Sequence, residues 1–293
     1  MSRAEIARAT LQGDRKINQD RYISIESDGS ILLGLADGMG GHPKGEIAAQ
    51  ILTDTCNSFF FRAPKPIHSP REFLHRLLQK AHENITAYGL DHKPAIKPRT
   101  TAVVALIQDG IMRWAHAGDS RLYIFRNGRT LHRTVDHSYV QQLEQHGLIG
   151  RGELKTHPQR NYVTRCLGGN IASPEITISK SVRLKDGDVI MLCSDGLWAH
   201  AKEDVMGRIL TGNLPLASSI SSLVQEAVND ATPESDNVSA IGMRWCMATD
   251  NTEKKESPEQ HAPEPQEDNI SQAIDDLKSA IEQFETTKNQ ETK

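Results

Sequence analysis

Three apolar runs in this chain end on an aspartate or begin directly after one, and that pattern limits the fold more than any other feature. Residues 31–36 run into Asp37-Gly38, residues 189–193 into Ser194-Asp195-Gly196, and residues 238–245 start after Asp236-Asn237. Short apolar runs bounded by turn residues read as buried strands. Carboxylates from separate strand ends would repel one another if left uncompensated, and bound cations would turn that repulsion into affinity. Asp119, in the turn Gly118-Asp119, adds a fourth acid.

Around these runs the chain alternates between strand and helix patterns. Residues 6–11 read as a first strand and residues 22–25 as an alternating one. Between them lies the polar turn Gly13-Asp14-Arg15-Lys16-Ile17-Asn18-Gln19-Asp20, whose Arg15 offers a fork suited to phosphate oxygens. Glycines after Asp37 let the backbone approach whatever that acid binds. From Gly45 the apolar spacing (Ile47, Ala48, Ile51, Leu52, Phe59) changes to the helical period, and a second helix follows from about Pro70. Residues 100–107, 111–117, 121–125 and 130–134 form a meander, joined by Asp109-Gly110, Gly118-Asp119 and Asn127-Gly128. His116, near the middle turn, reads as a strand residue with a satisfied side chain.

Residues 135–169 lose clear periodicity apart from a short helix with Val140 and Leu143, as expected of a functional loop or flap. His132, His137, His146 and His157 lack zinc-site spacing and read as surface or locally bonded residues. A strand over 175–183, the apolar strand at 189–193, helices over about 202–210 and 216–229, and the last strand complete the pattern.

At 293 residues the chain can hold one large domain or two small ones. Residues 250–293 hold 12 acids and 5 lysines, so they carry −7 of a total −4 and leave the preceding residues at +3. A mildly basic body suits an anionic substrate better than duplex DNA, and no nucleic-acid partner is expected. Cys56, Cys166, Cys193 and Cys246 show no CxxC spacing and read as reduced thiols in the cytoplasm. No apolar run is long enough for a membrane span, and residues 1–5 contain no signal core. Residues 248–268 read as a disordered acidic linker, and Ile270, Ile274, Leu277, Ile281 and Phe284 mark an amphipathic helix over 269–286, a docking element for a partner.

Hard oxygen ligands from separate turns suit Mg2+ or Mn2+ better than zinc. Phosphate monoesters hydrolyse so slowly that enzymes must supply accelerations reaching roughly 10²¹. A single acid or base supplies only about 10²- to 10⁴-fold. Paired metals can make the hydroxide and neutralise phosphoryl oxygens, so they supply the larger part.

Arg15 with Asn18-Gln19-Asp20, Asp37-Gly38-Met39-Gly40-Gly41-His42, Thr100-Thr101-Ala102, Gly118-Asp119-Ser120-Arg121, Asp136-His137-Ser138, Thr164-Arg165-Cys166-Leu167-Gly168, Ser194-Asp195-Gly196-Leu197-Trp198 and Asp236-Asn237-Val238 stand in a familiar order and spacing. Over about residues 3–246 the chain resembles the metal-dependent protein phosphatases of type 2C (PPM), in their compact bacterial form. The resemblance implies an α+β fold: a four-layer αββα sandwich of two antiparallel sheets between helix pairs, with residues 1–247 as catalytic domain and a flap at about 138–168. It implies a protein serine/threonine phosphatase acting on phosphoserine and phosphothreonine proteins, substrates of a bacterial Ser/Thr kinase.

By the same resemblance, Asp37 would bridge two Mn2+ or Mg2+ ions, with the Gly38 carbonyl on one and Asp195 and Asp236 on the other. Asp119 would hold a weaker third ion together with Asp195. Arg15 would grip the substrate phosphate, Asp20 would order metal-bound water, and a bridging hydroxide would attack phosphorus directly. A monomer is expected, since members of this architecture need no partner subunit. Two positions depart from animal and plant members: Gln19 stands where Glu is frequent, and Met39 where a histidine acid follows the Asp-Gly pair. His42 is then a candidate for protonating the leaving alkoxide, as is a water molecule. A pseudophosphatase that binds a kinase or scaffold, and a phosphatase dedicated to one regulator, are the competing readings.

Overall fold

Residues that alternate between two apolar environments build the middle of this molecule. The structure, a computed structural model, describes residues 4–39, 44–169 and 173–246. In chain order the elements are β1 (Ala4–Leu11), β2 (Asp20–Ser27), β3 (Ser30–Asp37), α1 (Gly45–Arg62), α2 (Pro70–Leu90), β4 (Arg99–Thr100), β5 (Ala102–Gln108), β6 (Ile111–Ala117), β7 (Arg121–Arg126), β8 (Arg129–Arg133), α3 (Tyr139–Gln145), β9 (Leu167–Gly168), β10 (Thr177–Ile178), β11 (Val182–Arg183), β12 (Val189–Cys193), α4 (Asp195–Trp198), α5 (Glu203–Leu210), α6 (Leu216–Ala231) and β13 (Val238–Trp245). One antiparallel sheet runs β1-β13-β12-β7-β8 and the other β10-β6-β5-β3-β2, with β11 also on β6.

Strands buried on both faces read as continuous apolar runs rather than alternating ones. In β3, Ile31, Leu33 and Leu35 face the core between the sheets, where they meet Ile190 and Leu192 of β12 and Ile241 and Met243 of β13. Leu32 and Ala36, on the other face of β3, pack under α1 and α2 with Leu52, Leu74 and Leu78. Val189, Met191 and Ala240 turn away from the inter-sheet core and pack under α5 and α6 with Met206, Ile220 and Val224. The result is the four-layer αββα sandwich. Asp37 continues the file of Ile31, Leu33 and Leu35, so the inter-sheet core ends in a carboxylate.

Two expected strands are interrupted. The run at 100–107 breaks at Thr101, because its N–H and hydroxyl both bind the Asp37 backbone and β4 pairs with β9 instead. The run at 175–183 is split by a one-residue slip against β6: Thr177 pairs with His116, but Val182 pairs with Met112. Between them, the Ser179 hydroxyl takes the Trp114 N–H at 2.9 Å. No helix among the described residues is long and apolar enough to cross a membrane. The linker and amphipathic helix expected over 248–286 lie outside the described residues.

Leu192 is fully buried between the sheets. Leu192→Ala should lower the unfolding free energy by about 2–5 kcal/mol, read as a lower denaturant midpoint with an unchanged m-value.

Candidate active site

Sheet register brings the acids together. Asp20 and Asp37 are directly paired across β2 and β3. The Ser194 hydroxyl, one residue before Asp195, donates to Asp20 Oδ2 at 2.8 Å and accepts the Ser239 N–H at 3.0 Å, so β12 and β13 reach the same corner. Asn237 Oδ1 takes the Gln19 N–H at 2.8 Å, and Asp14 Oδ2 takes the Ser235 N–H at 2.9 Å. These bonds join the Arg15 turn to the turn that carries Asp236. Thr101 accepts the Asp37 N–H at 2.9 Å and shares a 2.7 Å hydroxyl contact with Ser120, beside Asp119.

Burial makes these carboxylates hard to ionise. Asp37 is lifted well above the usual carboxylate range by burial and then by the charges of Asp20, Asp195, Asp119 and Asp236. Burial and the Asp195 charge lift Asp119 well up too. Asp20 is pushed to about 7, mainly by burial. Burial raises Asp195 to about 6, with the Asp236 charge adding and a hydrogen bond from Asp37 opposing. Asp20 Oδ1 is buried and without a hydrogen-bond partner. An oxygen-only donor set that repels itself and leaves a buried acceptor unused fits Mg2+ or Mn2+. Among the described residues, no three His, Cys, Asp or Glu side chains form a ready-made metal shell.

Arg15 Nη2 donates to Asp236 Oδ2 at 2.7 Å; the arginine side chain is exposed and the aspartate partly so. Gly38 donates its N–H to the Gln19 carbonyl and forms a bridge with Thr100. A Cβ at Gly38 would lie 2.4 Å from the Gly45 carbonyl oxygen, so no side chain fits there. Gln19 turns its amide to Glu46 on α1 at 3.1 Å. His42 lies outside the described residues.

The Asp119 turn is braced from three sides that sequence reading left without roles. Trp198 Nε1 donates to the Asp119 carbonyl at 2.9 Å. The Arg121 guanidinium stacks 3.6 Å over the Trp198 ring and grips Asp136 through two bonds of 2.8 and 2.7 Å. His137 Nδ1 accepts the Gly118 N–H at 3.2 Å, while its backbone N–H donates to the Gly118 carbonyl. His137 is therefore buried and bonded over long range, not a surface residue, because sequence spacing does not reveal contacts between β6 and the flap. Its ring stacks on His116 with centroids 4.4 Å apart. His116 Nε2 bonds the Val135 carbonyl, and its Nδ1 has no partner. From there the flap runs through α3 and returns at Thr164, whose N–H donates to the His137 carbonyl at 2.7 Å.

Comparison with known proteins gives a consistent set. The protein phosphatase 2C family model matches residues 12–234. The protein phosphatase PhpP of Streptococcus pneumoniae is 30% identical over 243 residues, which cover 82% of this chain and 97% of that protein. The serine/threonine protein phosphatase PstP of Mycobacterium tuberculosis is 31% identical over 80% of this chain and 44% of its own length. The solved structure of the serine/threonine phosphatase Stp1 from Staphylococcus aureus superposes with a TM-score of 0.74 at 30% identity, covering 83% of this chain and 95% of that one. The PstP catalytic domain solved with two manganese ions gives 0.69 at 26% identity, over 83% and 99% of the two chains.

Burial, then the neighbouring His116 and Arg165, depress His137 to about 3. A base depressed in the folded state contributes stability above its unfolded value near 6.5, and this is lost as pH falls toward about 3. Asn at 137 would keep an acceptor near the Nδ1 position. The melting temperature of His137→Asn should therefore fall less steeply than wild type between pH 6.5 and 4.

Proposed function

The chain belongs to the protein phosphatase 2C family and is a protein-serine/threonine phosphatase; we propose that it works through two divalent cations, Mn2+ or Mg2+, held at the end of the inter-sheet core. Asp37, the Gly38 carbonyl, Asp195 and Asp236 would hold the pair, and Asp119 with Asp195 a weaker third ion. When bound, these cations supply a water-derived hydroxide for direct attack at phosphorus and neutralise the phosphoryl oxygens, with no covalent phosphoenzyme.

The chain's own groups have distinct tasks in this scheme. The Arg15 guanidinium is exposed and its fork matches two phosphoryl oxygens. Its present partner, Asp236, is also a proposed ligand, so loading of the site and release of Arg15 toward substrate are linked. Asp20 keeps Oδ2 on the Ser194 hydroxyl and has Oδ1 free to accept from water. Fixing that water's orientation before the reaction is the kind of preorganisation that lowers a barrier most. The leaving serine or threonine oxygen needs a proton, for which His42 or a water is proposed. Residues 138–168, set beside Asp119, would act as the flap that meets the protein part of the substrate.

The observation that carries this reading is the convergence of Asp20 and Asp119, both buried, with Asp37 and Asp195, both partly buried, each raised in part by another's charge. An acid cluster with no such purpose would be selected against, since neutral residues would pack there without repulsion.

Initial-rate phosphate release from a phosphothreonine peptide, with Mn2+, Mg2+ or EDTA, tests it. Release should require a divalent cation and fall by roughly 100-fold or more in Asp37→Asn and Asp236→Asn. Full activity in either variant would overturn the ligand assignment. In parallel, saturating Mn2+ should raise the melting temperature of the wild type, as any ligand selective for the folded state does, and should raise that of Asp37→Asn much less.

A further inference from the structure

A cavity of about 1070 Å³ opens beside the aspartates, with Asp119 and Asp195 in its wall. It lies between the flap and the segment that joins α4 to α5. A phosphoryl group alone needs far less room, since volumes near 1000 Å³ are the upper end for whole small-molecule ligands. The space is large enough for several residues of a polypeptide.

The charges around it are unevenly matched. Arg121 is paired with Asp136 at 2.7 Å, Arg151 with Glu144 at 3.2 Å, and Arg133 with Glu203. Those pairs use every acid of the lining except Asp119 and Asp195, which the metal reading occupies. Lys155, Arg160 and Lys202 remain, exposed and in no ion pair among the described residues. Val135, 46% exposed, adds an apolar seat in the same wall. The lining thus offers an excess of positive charge next to a place where a phosphoserine or phosphothreonine would be held.

We propose that this cleft receives the substrate segment next to the phosphorylated residue, and that Lys155 and Lys202, with Arg160, select segments that carry further negative charge. The chemistry shared by the possible segments is an anion a few residues from the scissile phosphate, either an acidic side chain or a second phosphoryl group. This inference rests on the phosphatase reading above and specifies its substrate. Exposed ion pairs contribute little individually, so the selectivity comes from several acting together and weakens with salt.

The test compares kcat/KM on the full-length protein with Mn2+ for four phosphothreonine peptides: neutral, acidic, doubly phosphorylated and basic in their flanks. The small ester p-nitrophenyl phosphate is run alongside. Acidic or doubly phosphorylated peptides should exceed the neutral one by about tenfold at low salt, a product of two or three exposed pairs at roughly two- to fivefold each. The gap should shrink toward unity at about 0.5 M salt. The two anionic arms identify which source of charge is favoured. In the double variant Lys155→Glu, Lys202→Glu the order should invert in favour of the basic peptide, an outcome that mere structural damage cannot produce. Hydrolysis of all peptides with equal kcat/KM, or an unchanged order in the variant, would overturn the inference while leaving the phosphatase reading intact. Failure of every substrate, including the small ester, would instead overturn the metal-site reading and this inference with it.

Discussion

Like charges held together at the end of a dry core are the constraint on which this structure turns. Asp37 closes a strand that is apolar from Ile31 to Ala36, Asp195 follows the apolar strand β12 by two residues, and the Asp195 charge raises the cost of ionising Asp37. The sandwich tolerates this because neutral groups fix the backbone at Asp37 and Asp119. The Asp37 N–H goes to Thr101, the Asp37 carbonyl takes Thr100 and Thr101, and the Asp119 carbonyl takes Trp198. The frame is satisfied by neutral groups, and the charges are left over for ligands. The proposed metal chemistry follows from that division.

The fold was largely legible because two-sided burial has a simple signature. The runs at 31–36, 189–193 and 238–245 contain almost no polar residue, as a strand between a helix layer and a second sheet requires. The glycine pairs at 109–110 and 127–128 marked the turns for an equally local reason, since Asp109 and Asn127 both adopt positive φ. Where the structure departs from the pattern, a distant partner is responsible. Thr101 leaves its strand to bind Asp37, 64 residues earlier in the chain, and the slip between β10 and β11 depends on how Ser179 meets Trp114. Propensity and period carry no information about such meetings.

The candidate site was legible only in part, for the same reason. Aspartates at strand ends announce themselves, whereas the groups that aim them do not. Ser194 and Asn237 are ordinary turn residues until β12 and β13 place them against β2, and Trp198 has no role of its own until its indole is found on Asp119. Gln19 illustrates the converse. It stands where animal and plant members frequently carry Glu, and here its amide bonds Glu46 and lies against Gly45. In this chain that side chain ties the Arg15 turn to α1.

Chemistry and selectivity are divided between two kinds of backbone. Asp37 stands on a strand paired on both sides, and Asp195 and Asp236 flank two more, where a displacement would disturb two cores at once. The flap, by contrast, buries little: α3 contributes only Val140 to the interior, and the segment is tied down at its ends by the Ser138–Val163 bridge and the His137 carbonyl. A segment held at its ends can change its exposed side chains without cost to the sheets. Lys155 and Arg160 occupy that tolerant segment, while the arginine that would grip phosphate, Arg15, is fixed by turns joined to β13. A fold arranged in this way can keep one hydrolytic centre while the charge of its cleft is matched to different phosphoproteins.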